Sequence, residues 1–134
     1  MYGFLGLLTA QAHRTGGSQA NNGGADIFVS IHCNSSTNTS ARGATACYPN
    51  NHDETASHSL ADSMVAVLTS SLFPKHRDAY YQYLHVLRDT TMPATLVECG
   101  FISNTSDLAI LQNNGSTIGY YLGLEANVWC QVNI

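Results

Sequence analysis

Short apolar segments separated by polar turns predict that strands alternate with helices along this chain. Residues 26–31 (DIFVSI) follow a Gly-Gly turn and are rich in apolar and β-branched side chains, which predicts a buried strand. Further strands are predicted at residues 44–48, 84–87 and 94–99. Pro49 ends the segment at residues 44–48, and Gly100 ends the segment at residues 94–99.

Apolar residues at helical spacing predict the helices. A stripe over residues 54–72 consists of Leu60, Met64, Val67 and Leu68. A short helix is predicted at residues 106–112, and a last one from Ile118 toward Trp129. One face of the last helix carries Ile118, Tyr121, Leu122, Ala126 and Trp129. The alternation predicts an α/β fold with a largely parallel sheet flanked by helices.

Composition narrows the possible partners. The chain has 134 residues, the size of one domain, and only 10% of them are charged. The five Lys and Arg residues are scattered and the net charge is −4, so nucleic acid is not an expected partner. No apolar run reaches the length of a membrane span. Residues 1–12 are apolar and end in Ala-x-Ala but lack a basic start, so they do not form a convincing signal peptide.

Two ionisable residues stand where buried strands are predicted to end. His32 follows the first strand, and Glu98 closes the apolar run of residues 94–97. Ligands of open α/β sheets bind at the carboxyl ends of strands, and a carboxylate in an apolar strand is costly unless it is paired or used. A lone histidine is also commonly a hydrogen-bonded structural residue, and a lone glutamate an ion-pair partner. These two residues alone therefore do not define a metal site.

Longer motifs surround both residues. Arg14, Gln19-Ala20-Asn21 and residues 24–34 (GADIFVSIHCN) resemble the "R…AN…AD-apolar-SIHxN" segment of zinc-dependent N-acetylmuramoyl-L-alanine amidases, which are bacterial cell-wall hydrolases. Residues 86–88 (VLR) and 92–104 (MPATLVECGFISN) resemble the "VLR…PAxLVExGFISN" segment of the same family. The resemblance covers residues 14–129 in order, so residues 1–134 are interpreted as one partial amidase catalytic domain.

The resemblance implies a zinc-exopeptidase-like fold and roles for individual residues. His32 is implied to bind zinc and Glu98 to be the catalytic carboxylate. Asn34 and Arg88 are possible substrate contacts, although Arg88 is equally well explained as a structural ion-pair partner. The implied partner is peptidoglycan, cleaved between N-acetylmuramic acid and L-alanine. The implied location is extracellular or in the cell wall, and the oligomeric state is left open.

One part of the family pattern is missing from this sequence. The family places two further zinc ligands upstream, a histidine in a Gly-His-Gly-Gly stretch and a glutamate near the start of the next helix. Neither segment is present, and His13 stands in unrelated surroundings. We therefore expect an N-terminally truncated fold that lacks its first strand and helix and has an incomplete zinc site. Two alternatives to an amidase are a non-catalytic peptidoglycan-binding remnant and another zinc exopeptidase.

Four cysteines occur without a Cys-x-x-Cys pair, which argues against a zinc ribbon. Cys33 and Cys99 directly follow His32 and Glu98, so strand alternation predicts that both cysteines face away from them. They are either neighbouring thiols able to form a disulfide or two small buried hydrophobic residues.

Overall fold

The computed structural model describes the backbone of residues 12–50, 53–74 and 77–134, with side chains from residue 15 onward. The described elements are α1 (Ala12–Asn22), β1 (Phe28–Asn34), β2 (Thr45–Tyr48), α2 (Glu54–Ser71), β3 (Tyr80–Tyr81), α3 (His85–Arg88), β4 (Ala94–Phe101) and α4 (Thr105–Asn133). Within these residues, no helix combines the length and the apolar character needed to cross a bilayer.

The strands form one four-stranded sheet in the order β1-β4-β2-β3. The β1–β4 and β2–β3 pairs are parallel, and the β2–β4 pair is antiparallel. The predicted α/β class with a mostly parallel sheet is confirmed. β4 is a central strand, so the residues along it have strand neighbours on both sides.

Successive residues of a strand point to opposite faces of the sheet, and both faces carry apolar side chains. Helices cover each of the two faces. On one face, Val29 and Val97 pack with α2 and α4 in a large cluster, the α2/α4 core. On the other face, Phe28 and Leu96 pack with α3 and part of α1 in a smaller cluster, the α1/α3 core. Apolar residues on both faces of β1 and β4 explain why their sequences are nearly continuous hydrophobic runs.

The helix predictions were mostly right. In α2 the residues Leu60, Met64 and Leu68 are fully buried, as the apolar stripe predicted. The two helices predicted after residue 105 are confirmed as two helical segments that meet at a kink at Asn114, where φ is −128° and ψ is 20°, and they are together labelled α4. Asn104 caps α4 by accepting hydrogen bonds from the backbone amides of Ser106 and Asp107.

The strand predicted at residues 84–87 is wrong. This segment forms the single helical turn α3, preceded by Leu84 in an extended conformation. The adjacent residues Val86 and Leu87 are both buried in the α1/α3 core. A strand would point them to opposite sides, and a four-residue apolar run does not by itself distinguish the two structures.

A bulge interrupts the β1–β4 ladder just after Glu98. The register shifts between His32 and Asn34, and Gly100 on β4 has a φ of +81°. A Cβ atom at Gly100 would stand 2.5 Å from Cε1 of Phe73 and 3.2 Å from Oδ2 of Asp107. Both the backbone conformation and the lack of space therefore require glycine here.

Asp107 ties three segments together beside this bulge. Its side chain is fully buried, and Oδ2 accepts hydrogen bonds from the amides of Gly43 (2.7 Å) and Phe101 (3.1 Å). Oδ1 lies 3.3 Å from Nη2 of Arg42. The first turn of α4, the end of β4 and the segment before β2 are thus held by one carboxylate.

We expect Gly100→Ala to lower the free energy of unfolding by about 3 kcal/mol or more, since left-handed backbone strain and overpacking against Phe73 add together. Gly24→Ala is the matched control, because Gly24 has a φ of +63° and an added Cβ would meet nothing within 4 Å. The control should cost only about 1 kcal/mol. Urea unfolding followed by circular dichroism measures both, and equal costs would contradict the proposed steric role of Phe73.

We expect Asp107→Asn to destabilise the fold by about 2–3 kcal/mol, since an amide that keeps both backbone bonds must turn its NH₂ group toward Arg42. Asp89→Asn is the control, because Asp89 pairs with Arg88 on the surface. It should change the free energy of unfolding by less than about 1 kcal/mol. A cost at position 107 no larger than at position 89 would show that the buried carboxylate does not fix the three segments.

Candidate active site

His32 and Glu98 lie side by side on the sheet. They are partners in the parallel β1–β4 register, and Thr45 of β2 is the partner of Glu98 on its other side. Residues directly opposite one another on neighbouring strands, about 4.8 Å apart, point to the same face of a sheet. His32, Glu98 and Thr45 therefore form one polar row on the face that carries the α1/α3 core.

The expectation that both residues stand at strand ends needs correction. β1 continues past His32 to Asn34, and β4 continues past Glu98 to Phe101. The strands extend because their backbone pairing resumes beyond the bulge, where Asn34 is the partner of Phe101. The polar row is therefore held by strand backbone on both sides rather than by a loop.

Ser30 holds the His32 ring. Ser30 lies two residues before His32 on the same face, is buried, and places Oγ 2.9 Å from Nε2 of the imidazole. A hydrogen bond to one ring nitrogen fixes the orientation of a histidine. Ser30 was not among the residues predicted for the site, although its i, i+2 spacing to His32 in a predicted strand was the available signal.

Glu98 is a half-buried carboxylate whose burial raises its pKa above the ordinary value. Its Oε2 atom is fully buried and has no hydrogen-bond partner among the residues that the structure describes. A buried carboxylate oxygen without a donor is costly and is typical of a group that meets water, a cation or a substrate. Glu98 is therefore better suited to chemistry than to holding the fold together.

The neighbouring cysteines are not activated nucleophiles. Burial, reinforced by the nearby negative charge of Glu98, raises the pKa of Cys47 to about 12. Partial desolvation of the Cys33 sulfur, together with the charge of Glu98, raises the pKa of Cys33 as well, and burial raises the pKa of Cys99 to about 12. Because the thiolate is the reactive form, these three thiols are not activated for attack at neutral pH.

Cys33 and Cys99 lie in different environments. Both are free thiols; Cys99 is buried in the α2/α4 core, whereas Cys33 is exposed. Cys99 thus behaves as a small buried hydrophobic residue, and the two sulfurs are not joined.

The two possible substrate contacts have partners within the chain. Arg88 on α3 places Nε 3.2 Å from Oδ2 of Asp89, and its guanidinium lies 5.3 Å from the centroid of the Tyr83 ring. Asn34 accepts a hydrogen bond from the amide of Ser35 through its own side chain. These contacts fit structural roles and leave the predicted substrate contacts as proposals.

The polar row contains donor types that suit zinc, but too few of them. Catalytic zinc normally has three protein ligands and a water. Among residues 12–50, 53–74 and 77–134, no group of three or more His, Cys, Asp or Glu side chains is placed to hold a metal ion. The side chain of His13 lies outside the described part of the chain. The described residues supply the orphaned Glu98 oxygen and the oriented His32 ring, and no complete site.

Comparison with known proteins identifies the family. Residues 12–119 match the family model described as N-acetylmuramoyl-L-alanine amidase. The chain is 32% identical over 88 residues to the amidase LytC of Bacillus subtilis, covering 66% of this chain and 18% of LytC. It is 35% identical over 95 residues to the amidase CwlM of Bacillus licheniformis, covering 71% of this chain and 36% of CwlM.

A solved structure gives the same result for the fold. The CwlD amidase from Clostridioides difficile superposes with a TM-score of 0.76 at 26% identity, covering 84% of this chain and 58% of CwlD. The chain spans well under half the length of LytC and of CwlM. The family match includes both strands of the His32–Glu98 pair and most of the described helices. The chain belongs to the N-acetylmuramoyl-L-alanine amidase family.

Proposed function

We propose that this chain contributes His32 and Glu98 to a peptidoglycan amidase site. The reaction is hydrolysis of the amide between the lactyl group of N-acetylmuramic acid and L-alanine of the stem peptide. The observation that carries the proposal is the in-register β1–β4 pair, which puts an imidazole and a carboxylate next to each other on one face of the sheet. The family membership supports the substrate class.

Each residue has a distinct role in this proposal. His32 would be one ligand of a zinc ion, which when bound would polarise the substrate carbonyl and lower the pKa of a water toward about 7. Glu98 accepts the proton of the attacking water and delivers it to the leaving amine. Burial supports this role, because a carboxylate whose pKa is raised is a stronger base than a solvated one.

Surrounding residues orient the reacting groups. Ser30 fixes the His32 ring through its hydroxyl, because a hydrogen bond to one ring nitrogen orients the other nitrogen toward a metal ion. Asn34 and Arg88 contact the substrate in this proposal, with the partly exposed Arg88 guanidinium available to a stem-peptide carboxylate in exchange for Asp89. The substrate places the protein outside the cell or in the cell wall.

A second candidate function is peptidoglycan binding without hydrolysis. The shortage of metal donors among the described residues favours it. In that case the polar row binds the glycopeptide but does not activate water. The two functions differ in whether muropeptides are released, which the first experiment below measures directly.

We expect Glu98→Gln to lower muropeptide release by about 10²- to 10⁴-fold, because the amide cannot relay a proton. The assay incubates the full chain and zinc with purified peptidoglycan and follows products by liquid chromatography and mass spectrometry. Glu54→Gln is the matched control, since Glu54 is exposed in the first turn of α2. Unchanged release by the Glu98 variant would reject its role as the base. Binding to peptidoglycan without release by the unmodified chain would select the second function.

We expect His32→Ala to abolish measurable zinc binding in isothermal titration calorimetry, since the imidazole is the group proposed to bind the ion directly. Ser30→Ala should weaken binding by about 10- to 100-fold, and Ser30→Thr should restore it because the hydroxyl is kept. His85→Ala is the control, since His85 is an exposed histidine on α3. Zinc affinity that is equal in the His32 and His85 variants would remove the metal role from His32.

A further inference from the structure

The second half of α4 has two apolar faces, of which the fold uses only one. Ile118, Leu122 and Trp129 are buried against the α2/α4 core. The far side of the helix carries Tyr120, Leu124, Val128 and Val132, spaced four residues apart, and this set is here named the outer α4 row. Their exposed fractions are 66%, 47%, 44% and 78%. A single exposed apolar residue needs no explanation, but a continuous row of them does.

A groove runs beside the outer α4 row. Gly115 and Gly119 are exposed, and a Cβ atom added to either would meet nothing within 4 Å. Gly123 continues this line at the same four-residue spacing. In an α-helix, two such lines one residue apart are adjacent ridges on the surface. Beside Tyr120 and Leu124 the neighbouring line consists of glycines, and the space at Gly115 and Gly119 is open, so this part of the helix presents a ridge next to a groove. Farther along, the line continues as Asn127 and Gln131.

The charge of α4 argues against a lipid surface as the occupant. Its only charged residues are Asp107 and Glu125, and it contains no Lys or Arg. Helices that bind membrane surfaces usually carry basic residues beside the apolar face. An exposed helix with almost no charge also lacks the residues that normally keep such a surface in water. A protein surface of matching shape is the better partner.

We propose that the outer α4 row is the interface of a homodimer. A two-fold interface must be self-complementary, because the same patch meets itself. The ridge and the groove satisfy this requirement, since the ridge of one copy fits the glycine groove of the other. Rows spaced by four residues interdigitate in the commonest class of helix–helix packing. The proposal is independent of the amidase function.

The area of the row sets the expected strength of the dimer. With about 150–250 Å² for a large side chain, the outer α4 row and the nearby exposed Ile134 offer roughly 500 Å² of apolar surface per copy. Two copies would bury about 1,000 Å², which is at the lower limit for a specific interface. The dimer should therefore be weak, with a dissociation constant in the micromolar range.

Sedimentation velocity of the full chain at concentrations from about 1 to 200 μM tests the proposal across this range. The mass should rise from 14.4 kDa toward twice that value as concentration increases. Leu124→Lys should raise the dissociation constant by about tenfold or more, because it places a charge in the ridge. Thr55→Lys on the exposed face of α2 is the control and should leave it unchanged.

Gly119→Leu separates loss of the interface from loss of the fold. An added Cβ at this position meets nothing within 4 Å, so the leucine should fill the groove and block dimerisation without lowering the melting temperature. A mass of 14.4 kDa at every concentration would overturn the proposal, as would dimerisation that both interface variants leave intact. A chain that stays monomeric but cosediments with zwitterionic vesicles would also overturn it, in favour of a lipid surface.

Discussion

The parallel pairing of β1 with β4 is the interaction on which the candidate site depends. It brings together two residues that are far apart in the sequence and sets His32 directly opposite Glu98. Because side chains alternate along a strand, the same pairing sends Val29 and Val97 into the α2/α4 core. A slip of one residue would exchange the two faces, burying polar groups and exposing the core. The apolar packing on one face therefore stabilises the polar row on the other.

The end of β4 is fixed more tightly than strand pairing alone requires. Gly100 turns the chain just after Glu98, in a space that Phe73 leaves open only to glycine. Asp107 then ties the start of α4 back to Phe101 and Gly43. Bulges are common beside active sites because they aim a side chain without breaking the sheet. Glu98 thus lies between the regular β1–β4 pairing that precedes it in β4 and the constrained turn at Gly100 that follows it.

The two faces of the sheet have different roles: one contributes mainly apolar packing, and the other also carries the candidate site. The face against α2 and α4 is almost entirely apolar, whereas the other face carries the polar row beyond the smaller α1/α3 core. Apolar packing on both faces holds this fold together, whereas small zinc-dependent domains have too small a core to fold without the metal. A buried, orphaned oxygen on Glu98 is therefore a local cost at the site, and the packing elsewhere offsets it.

The amino-acid sequence alone predicted the family, the strands around His32 and Glu98, and the buried stripe of α2. Those features are local, because motifs, apolar runs and helical periodicity each depend on residues that are close together in the sequence. The tertiary structure was needed to establish the register that makes His32 and Glu98 neighbours and the helical form of residues 85–88. The tertiary structure also showed that the second helical segment of α4 leaves one apolar row exposed to solvent. These outcomes depend on which distant segments pack together, and contacts of that kind have no signature in a short stretch of sequence.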